Sequence, residues 1–170
     1  MPGLAGCEGE PLPDGARLRR EGALLAAAEQ LGSAARSLEA AVQHAGAREQ
    51  FGAPIGSFQA VKHLCAGMLV RAETARTAVY AAAVTADPVE IAGAKLLADE
   101  AAVDNARDSL QVHGGMGFTW EADVHLYLKR AWLRAGQWLT AADAEEALAA
   151  DLVCSGVAGR PLRAGDATEP

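Results

Sequence analysis

The chain has 170 residues, enough for one domain with a sizeable core, and 51% of them are hydrophobic, which favours a folded protein. Alanine dominates that content and only 5% of the residues are aromatic, so closely packed helices are favoured over sheet. The net charge of −7 offers no basic face for nucleic acid, and we expect no nucleic-acid partner.

Other chemical features exclude further classes of protein. Cys7, Cys65 and Cys154 share neither metal-ligand nor redox spacing, which points to a reducing compartment and a cytoplasmic location. The four histidines fall on different predicted elements without ligand spacing, so no metal site is expected. The apolar stretch 23–28 follows acidic residues and is interrupted by Glu29, so we expect neither a signal peptide nor a membrane-spanning helix.

The first half of the chain predicts an arm, a helix and a loop. Residues 1–16 contain three prolines and no apolar period, which predicts a flexible arm, with the folded domain spanning 17–153. A first helix is predicted from about Leu18 to Ala47. Its apolar seam is Leu24, Ala28, Leu31, Ala35, Leu38, Val42 and Ala45. Residues 46–57, with Pro54 and three glycines, predict a loop.

Two long helices are predicted next. The second helix runs from Phe58, after an N-cap at Ser57, to about Thr85. Its regular apolar repeat is Val61, Cys65, Met68, Ala72, Ala75, Val79 and Ala82. Asp87 and Pro88 predict the N-cap and first residue of a third helix that ends near Gly114. The connection between these helices is short, so they are expected to be antiparallel.

The C-terminal part completes an all-α prediction. A fourth helix is expected over about 121–138, and Thr140 with Asp143 predicts the N-cap of a last helix to about Val153. Residues 154–170 are rich in Gly, Pro and charge and are expected to be disordered. Periodicity and caps agree on an antiparallel up-and-down bundle of four long helices with a short extra C-terminal helix.

Two segments carry the candidate binding residues. The first is Arg48-Glu49-Gln50-Phe51-Gly52-Ala53-Pro54-Ile55 followed by Ser57-Phe58-Gln59, and the second is Gln111-Val112-His113-Gly114-Gly115-Met116-Gly117. Arg48 is either a planar fork of donors for a pyrophosphate or a solvated cation at a helix end. Gly114 and Gly115 either stop a helix or also let a ligand approach the backbone.

The remaining candidates in these segments have two interpretations as well. Gln59 falls in the predicted first turn of the second helix, where backbone N–H groups favour an anionic or carbonyl ligand, although a lone Gln there would be ordinary surface. Phe51 and Phe58 are expected to be core or interface anchors rather than chemical groups.

In this order, the two segments resemble the signature stretches of the C-terminal helical domain of acyl-CoA dehydrogenases, flavoproteins that desaturate acyl-CoA thioesters. The resemblance covers roughly residues 18–152. It implies a four-helix bundle that forms dimer and tetramer interfaces. It also implies that FAD of a neighbouring subunit is held by Arg48, Gln50, Phe51, Gln59, Gln111, Gly114 and Gly115.

The sequence departs from the family in the residues that perform the chemistry. The family's N-terminal helical domain and middle β-domain have no counterpart in it. Desaturation needs a carboxylate to remove the α-proton while the β-hydride passes to flavin N5. Where most members carry that base, this chain has Gln137-Trp138-Leu139-Thr140. Other members place it early in the first helix, where Glu21 is a weak candidate, but a first-turn acid that complements the helix dipole is the favoured interpretation.

The resemblance therefore leads to two hypotheses about function. In the first, the chain contributes FAD contacts and an oligomer interface to a larger acyl-CoA dehydrogenase assembly and is inactive alone. Its expected partner is a second copy or a flavoprotein chain, and acyl-CoA binds only in the assembly. In the second, the chain is a non-enzymatic helical oligomerisation module that binds no flavin. Arg48, Gln59 and Gln111 together favour the first hypothesis.

Overall fold

A computed structural model describes residues 14–156. The chain forms α1 (Gly15–Ala47), β1 (Glu49–Gln50), β2 (Ala53–Pro54), a 3-10 turn (Ile55–Ser57), α2 (Gln59–Thr85), α3 (Pro88–His113), a second 3-10 turn (Gly114–Phe118), α4 (Val124–Ala135) and α5 (Ala141–Cys154). The first two residues of α1 belong to the expected arm. Residues 1–13 of that arm, and residues 157–170 of the expected disordered tail, lie outside the described residues.

The helices pack as an all-α antiparallel bundle, which confirms the expected fold class. α3 lies at its centre and packs against α1, α2, α4 and α5. The two short strands form a hairpin at one end, with Glu49 opposite Pro54 and Gln50 opposite Ala53. Because α3 contacts all the other helices, its two ends fix where the neighbouring loops lie.

Several helix ends follow directly from the local sequence. Asp87 Oδ1 accepts hydrogen bonds from the N–H groups of Val89 (2.8 Å) and Glu90 (3.0 Å), which confirms it as the N-cap of α3. Thr140 and Asp143 form the expected reciprocal capping box of α5. α1 begins at Gly15 because Asp14 caps it, accepting from the N–H of Ala16 at 3.1 Å.

Other local predictions were wrong. Ser57 is not the N-cap of α2, because Phe58 occupies that position and the Ser57 hydroxyl donates to the carbonyl of Pro54 at 2.7 Å. The expected loop contains the β1–β2 hairpin, whose turn residues Phe51 and Gly52 have φ angles of 55° and 78°. The fourth helix is shorter than predicted, because residues 121–123 are not yet helical and Gly136 ends α4.

Alanines make up most of the buried core, which allows the helices to approach closely. The larger cluster of buried residues comprises Ala23, Ala27, Leu31, Ala34, Ala75, Val79, Ala82, Ile91, Ala94, Ala98, Ala101, Ala102 and Ala131. The smaller cluster comprises Ala41, Ala45, Met68 and Val112, against which Ile55, Val61, Leu64 and Cys65 pack. The smaller cluster lies at the hairpin end of the bundle.

The predicted apolar seams of α1 and α2 agree with the observed burial to different extents. From Met68 to Ala82 the predicted seam of α2 is buried, as expected. In α1, however, Ala28 and Val42 are exposed, because the 3.6-residue period moves the buried face away from a heptad seam over 33 residues. Phe51 and Phe58 are not core residues either, since both are exposed.

Candidate functional site

The two predicted binding segments meet at one end of the bundle. Because successive helices are antiparallel, the C-terminal ends of α1 and α3 lie beside the N-terminal end of α2. The rings of His44 on α1 and His113 on α3 stack with their centroids 4.2 Å apart. Val112 packs in the same buried cluster as Ala45. We call this end, with its exposed residues Arg48, Gln50, Phe51, Gln59, Gln111, Gly114 and Gly115, the hairpin face.

Arg48 has a fixed backbone and an exposed side chain. Its N–H donates to the carbonyl of His44 at 2.8 Å and caps α1, while its carbonyl accepts from the N–H of Ile55 at 2.8 Å. Within residues 14–156 its guanidinium forms no ion pair. Its five N–H donors therefore stay available for an anion at the hairpin face.

An aromatic pair lies beside these donors. The rings of Phe51 and Phe58 meet edge to face with centroids 6.1 Å apart. The side chain of Phe51 is 93% exposed at the tip of the hairpin turn. Such an exposed apolar ring is suited to contact a planar ligand or a second protein surface.

The three glycines after α3 have different physical requirements. Gly114 has a φ of +60°, so the end of the helix itself requires glycine. A Cβ at Gly117 would lie 3.1 Å from the carbonyl oxygen of Leu110, so packing requires glycine there. At Gly115 φ is not positive and a Cβ would meet nothing within 4 Å. The backbone angles and the packing of the described residues therefore do not require glycine at Gly115.

These groups fit part of a large anionic cofactor such as FAD. A guanidinium and glutamine amides are groups able to donate hydrogen bonds to a pyrophosphate, and glycine leaves the backbone open to close approach. All of these groups lie on an exposed face with no opposing wall in residues 14–156. The cofactor would therefore be only partly enclosed, and a second chain would have to cover its other side.

The surroundings of His44 at the hairpin face disfavour its protonated, positively charged form. Partial burial, and after it the charges of His113 and Arg48, lowers the pKa of His44. His113 is held by a 2.7 Å hydrogen bond between its Nδ1 and the carbonyl oxygen of Ser109. A neutral His44 thus fits beside the cationic Arg48.

The two places considered for a catalytic base are neighbours at the opposite end of the bundle. A Cβ at Gly22 would overlap the indole ring of Trp138, so the start of α1 and the loop after α4 are in contact. The space above Gly22 is filled by that ring and not by a carboxylate. Glu21 is exposed and paired with Arg17 at 2.7 Å. The expectation that it is a first-turn acid was wrong, because α1 begins at Gly15 and its first turn holds no acidic residue.

The sequence interpretation missed a buried polar network behind this contact. Gln30 Nε2 donates to Asp99 Oδ1 and to the carbonyl of Ala131, both at 2.9 Å. The ammonium of Lys95 pairs with Asp99 and donates to the carbonyl of Arg134 at 3.2 Å. Burial raises the pKa of Asp99, and the hydrogen bonds from Lys95 and Gln30 offset only part of that effect.

This network binds two carbonyl groups in the last two turns of α4, those of Ala131 and Arg134. It thereby holds the end of α4 and the loop that carries Trp138. A lysine and an aspartate four residues apart in an alanine-rich helix were a visible sign of this pairing.

A second missed residue is Asn105, which joins three helices. Its Nδ2 donates to the carbonyls of Ala34 (3.2 Å) and Met68 (2.9 Å), and its Oδ1 accepts from Arg71 at 2.9 Å. Arg71 also pairs with Asp108. These bonds fix the relative positions of α1, α2 and α3 behind the hairpin face.

Neither a metal-binding cluster nor a membrane-spanning helix is found in the described part of the chain. Residues 14–156 contain no group of three or more His, Cys, Asp or Glu placed to hold a metal ion. No helix in that range is both long and apolar enough to cross a membrane.

Comparison with known proteins finds similarity to acyl-CoA dehydrogenases in both sequence and structure. Residues 18–137 match the model of the acyl-CoA dehydrogenase C-terminal domain. Acyl-CoA dehydrogenase FadE34 of Mycobacterium tuberculosis is 45% identical over 157 residues, covering 81% of this chain and 22% of the relative. Acyl-CoA dehydrogenase IpdE2 of the same organism is 46% identical over 124 residues, covering 73% of this chain and 39% of the relative.

Solved structures show the same likeness. The Tcur3481-Tcur3483 steroid ACAD superimposes with a TM-score of 0.73 at 30% identity, covering 81% of this chain and 39% of the solved one. In each of these comparisons the chain spans well under half the length of the protein it matches.

Proposed function

The chain belongs to the acyl-CoA dehydrogenase family, as its C-terminal helical domain, and from this premise we propose that it is one component of an FAD-dependent acyl-CoA dehydrogenase assembly. In that assembly it supplies donors for FAD and an oligomer interface. A flavoprotein chain supplies the remaining enclosure and the acyl-CoA site.

One observation carries the cofactor role. Residues from two distant segments of the sequence lie exposed at the same end of the bundle, with a guanidinium that forms no ion pair within residues 14–156. A bundle that served only as a scaffold would have no physical reason to keep an uncovered set of donors beside Gly115. The family binds FAD, and the chemistry of these donors fits its pyrophosphate.

The role of this chain in the assembly follows from the functional groups that its residues provide. FAD, when bound, accepts the hydride of the desaturation. Arg48, Gln59 and Gln111 orient the cofactor through its anionic part and exclude water from it. Within residues 14–156 neither place considered for the proton-removing carboxylate offers a free one, because Trp138 fills the contact with Gly22 and Glu21 is paired with Arg17. We propose that this carboxylate comes from elsewhere in the assembly.

An assembly of two different chains is supported by a solved relative. The name of the Tcur3481-Tcur3483 steroid ACAD joins two components. The chain also spans only 22% of FadE34 and 39% of IpdE2. From the two-component name of that solved relative, we propose that a second chain takes part in the assembly.

Flavin titration with and without a partner tests the proposal. The chain is co-purified with an acyl-CoA dehydrogenase chain that contains the missing domains, and FAD binding is followed by flavin fluorescence. Arg48→Ala should weaken FAD retention by about 1.5–3 kcal/mol, as expected for lost charge-assisted hydrogen bonds. The melting temperature of the bundle should barely change, because the Arg48 side chain is exposed.

Arg36→Ala is the matched control, since Arg36 is also exposed on α1 but pairs with Glu39. It should leave FAD retention unchanged. If the complex holds no FAD, or if both variants retain it equally, the chain is better described as a helical module without a cofactor role.

A further inference from the structure

Two stacked histidines lie at the hairpin end of the bundle but have no part in the donors proposed for FAD. His44 is in the last turn of α1, and His113 is in the last turn of α3, directly before Gly114. Their ring centroids are 4.2 Å apart with an angle of 23° between the planes, and both side chains are half-buried. The pair therefore joins the two helix ends from which the candidate binding segments start.

The hydrogen bond of His113 determines which of its ring nitrogens is free. Its Nδ1 lies 2.7 Å from the carbonyl oxygen of Ser109, one turn earlier in α3. A carbonyl oxygen only accepts, so Nδ1 carries a proton and the neutral ring presents Nε2 as an acceptor. Because Nδ1 points back to the preceding turn, Nε2 points away from it. A second proton would make Nε2 a donor and the ring a cation.

His44 supports a proton on His113 better than it supports one on itself. Partial burial, and after it the charges of His113 and Arg48, lowers the pKa of His44. A neutral ring stacked on a protonated imidazole attracts it as an aromatic face attracts a cation. The C-terminal end of α3 also favours a positive charge. A single proton taken up by the pair is thus held by His113.

The surrounding charges decide when that proton is taken up. The charged and titratable groups of the elements at this end are His44 and Arg48 at the end of α1, Glu49 in β1, Lys62 and His63 at the start of α2, and Arg71 and Asp108 behind the hairpin face. Arg71 and Asp108 pair with each other. The cations of Arg48 and Lys62 then face the single acid Glu49, and this excess of positive charge repels a further proton.

A bound anion would reverse that balance. A pyrophosphate brings negative charge to the hairpin face and offsets the repulsion between Arg48, Lys62 and a protonated His113. A ligand that binds one protonation state more tightly shifts the equilibrium towards that state. Anion and proton therefore favour each other's binding at this end of the bundle.

These observations extend the proposed FAD site, and the inference rests on that proposal. We propose that protonated His113, held between the carbonyl of Ser109 and the ring of His44, is a further donor for the phosphates of the cofactor, so that FAD binds together with a proton. The complex should accordingly hold FAD more tightly as the pH falls.

Calorimetry measures the linked proton directly. FAD is titrated into the complex of this chain with an acyl-CoA dehydrogenase chain that contains the missing domains, at about pH 7 and in two buffers of different ionisation enthalpy. The difference in heat gives the protons taken up per FAD bound, and uptake of a clear fraction of one proton is expected. His113→Phe keeps a ring for His44 to stack on but cannot bind a proton, so the uptake should disappear.

The dissociation constant of FAD should depend on pH in the same way. Between about pH 7.5 and about pH 6 it should fall at least about threefold for the wild type, since one linked proton permits up to about tenfold per pH unit. For His113→Phe it should stay nearly constant, whereas His44→Phe should keep the dependence.

His125→Phe is the matched control. The Nδ1 of His125 is also bonded to a backbone carbonyl, that of Ala122 at 2.9 Å, but its ring contacts Trp120 and not the histidine pair. This variant should keep the proton uptake and the pH dependence of the wild type. Coenzyme A, which also carries phosphates, is titrated in the same way and should show no uptake that depends on His113.

The outcomes separate this inference from the proposed function. A complex that binds no FAD refutes both. FAD that binds without proton uptake, or with equal uptake in His113→Phe, refutes only the role of His113. Uptake lost in His44→Phe and kept in His113→Phe also contradicts it, as does uptake seen with coenzyme A but not with FAD. Because the wild-type uptake is itself a test, the proposal can be refuted even if a variant loses its helical circular dichroism.

Discussion

At the scale of single residues, the ion pair of Lys95 and Asp99 places two charges inside the core. Lys95 is 1% exposed and Asp99 is 7% exposed among alanines. A buried charge is tolerated only while its partner and hydrogen bonds are present. The pair is therefore expected to be sensitive to loss of one partner and less sensitive to replacement of both.

Asp99→Ala should lower the free energy of unfolding by about 3–5 kcal/mol, because the Lys95 ammonium loses its counterion in the core. Urea denaturation measures this value. Glu21→Ala, which removes the exposed pair with Arg17, should cost less than about 1 kcal/mol and serves as the control. Equal losses for the two variants would contradict a structural role for the buried pair.

His44 gives the molecule a pH dependence. Its pKa is lowered in the folded state, so the unfolded chain binds its proton more tightly. The stability contributed by neutral His44 is complete above the ordinary histidine value of about 6.5 and is lost as the pH falls through and below it. His44→Phe keeps a ring beside His113 but cannot titrate.

The free energy of unfolding should therefore fall between pH 7.5 and pH 5.5 by more in the wild type than in His44→Phe. Urea denaturation at the two pH values gives the difference. The same slope in both proteins would show that His44 is not the titrating group.

At the scale of the elements, the contact between α1 and the loop after α4 depends on the absence of a side chain at Gly22. Trp138 has a φ of 65° and lies over Gly22, so this loop is held in a conformation that most residues avoid. The buried network around Lys95 fixes the end of α4 from which that loop starts.

Gly22→Ala should lower the free energy of unfolding by about 1–3 kcal/mol, because the added methyl group overlaps the Trp138 ring. Within a helix the same change would ordinarily increase stability by about 0.5–1 kcal/mol, so the sign is diagnostic. Thermal unfolding with tryptophan fluorescence detects both the loss and the moved indole.

Gly32→Ala is the control for this change. Gly32 lies exposed on the same helix and a Cβ there would meet nothing within 4 Å, so the substitution should stabilise the protein. In a Trp138→Ala background the cost of Gly22→Ala should disappear. A stabilising Gly22→Ala in the wild-type background would refute the contact.

At the scale of the whole molecule, two regions of interest lie at opposite ends of the bundle. The hairpin face holds the candidate FAD donors, and the opposite end holds the Gly22–Trp138 contact where the family's base would be sought. Along its length the helices leave Leu25, Val70 and Val84 exposed. Such a surface is suited to assembly.

The purified chain with added FAD and an electron acceptor should not oxidise acyl-CoA. Its residues 14–156 provide no carboxylate at the Gly22–Trp138 contact and no second wall for the cofactor. The assay follows reduction of the acceptor with a series of acyl-CoA thioesters. Turnover that disappears in Glu21→Gln would show that Glu21 is a base after all.

The sequence by itself determined the elements whose causes are local. The caps at Asp87 and Thr140, the break at Gly114 and the regular seam of α2 depend on residues within a few positions of one another. The family resemblance rests on the two segments around Arg48 and Gln111, and it identified the chain correctly.

Only the tertiary structure decided the features that depend on distant partners. The burial of Lys95 and Asp99, the hydrogen bond from Gln30 to Asp99 and the contact of Trp138 with Gly22 depend on residues from different elements. Nothing in a local window of sequence reports such neighbours. The reason is that side-chain burial and pairing are set by how helices pack against each other, whereas caps and turns are set by the backbone of the segment itself.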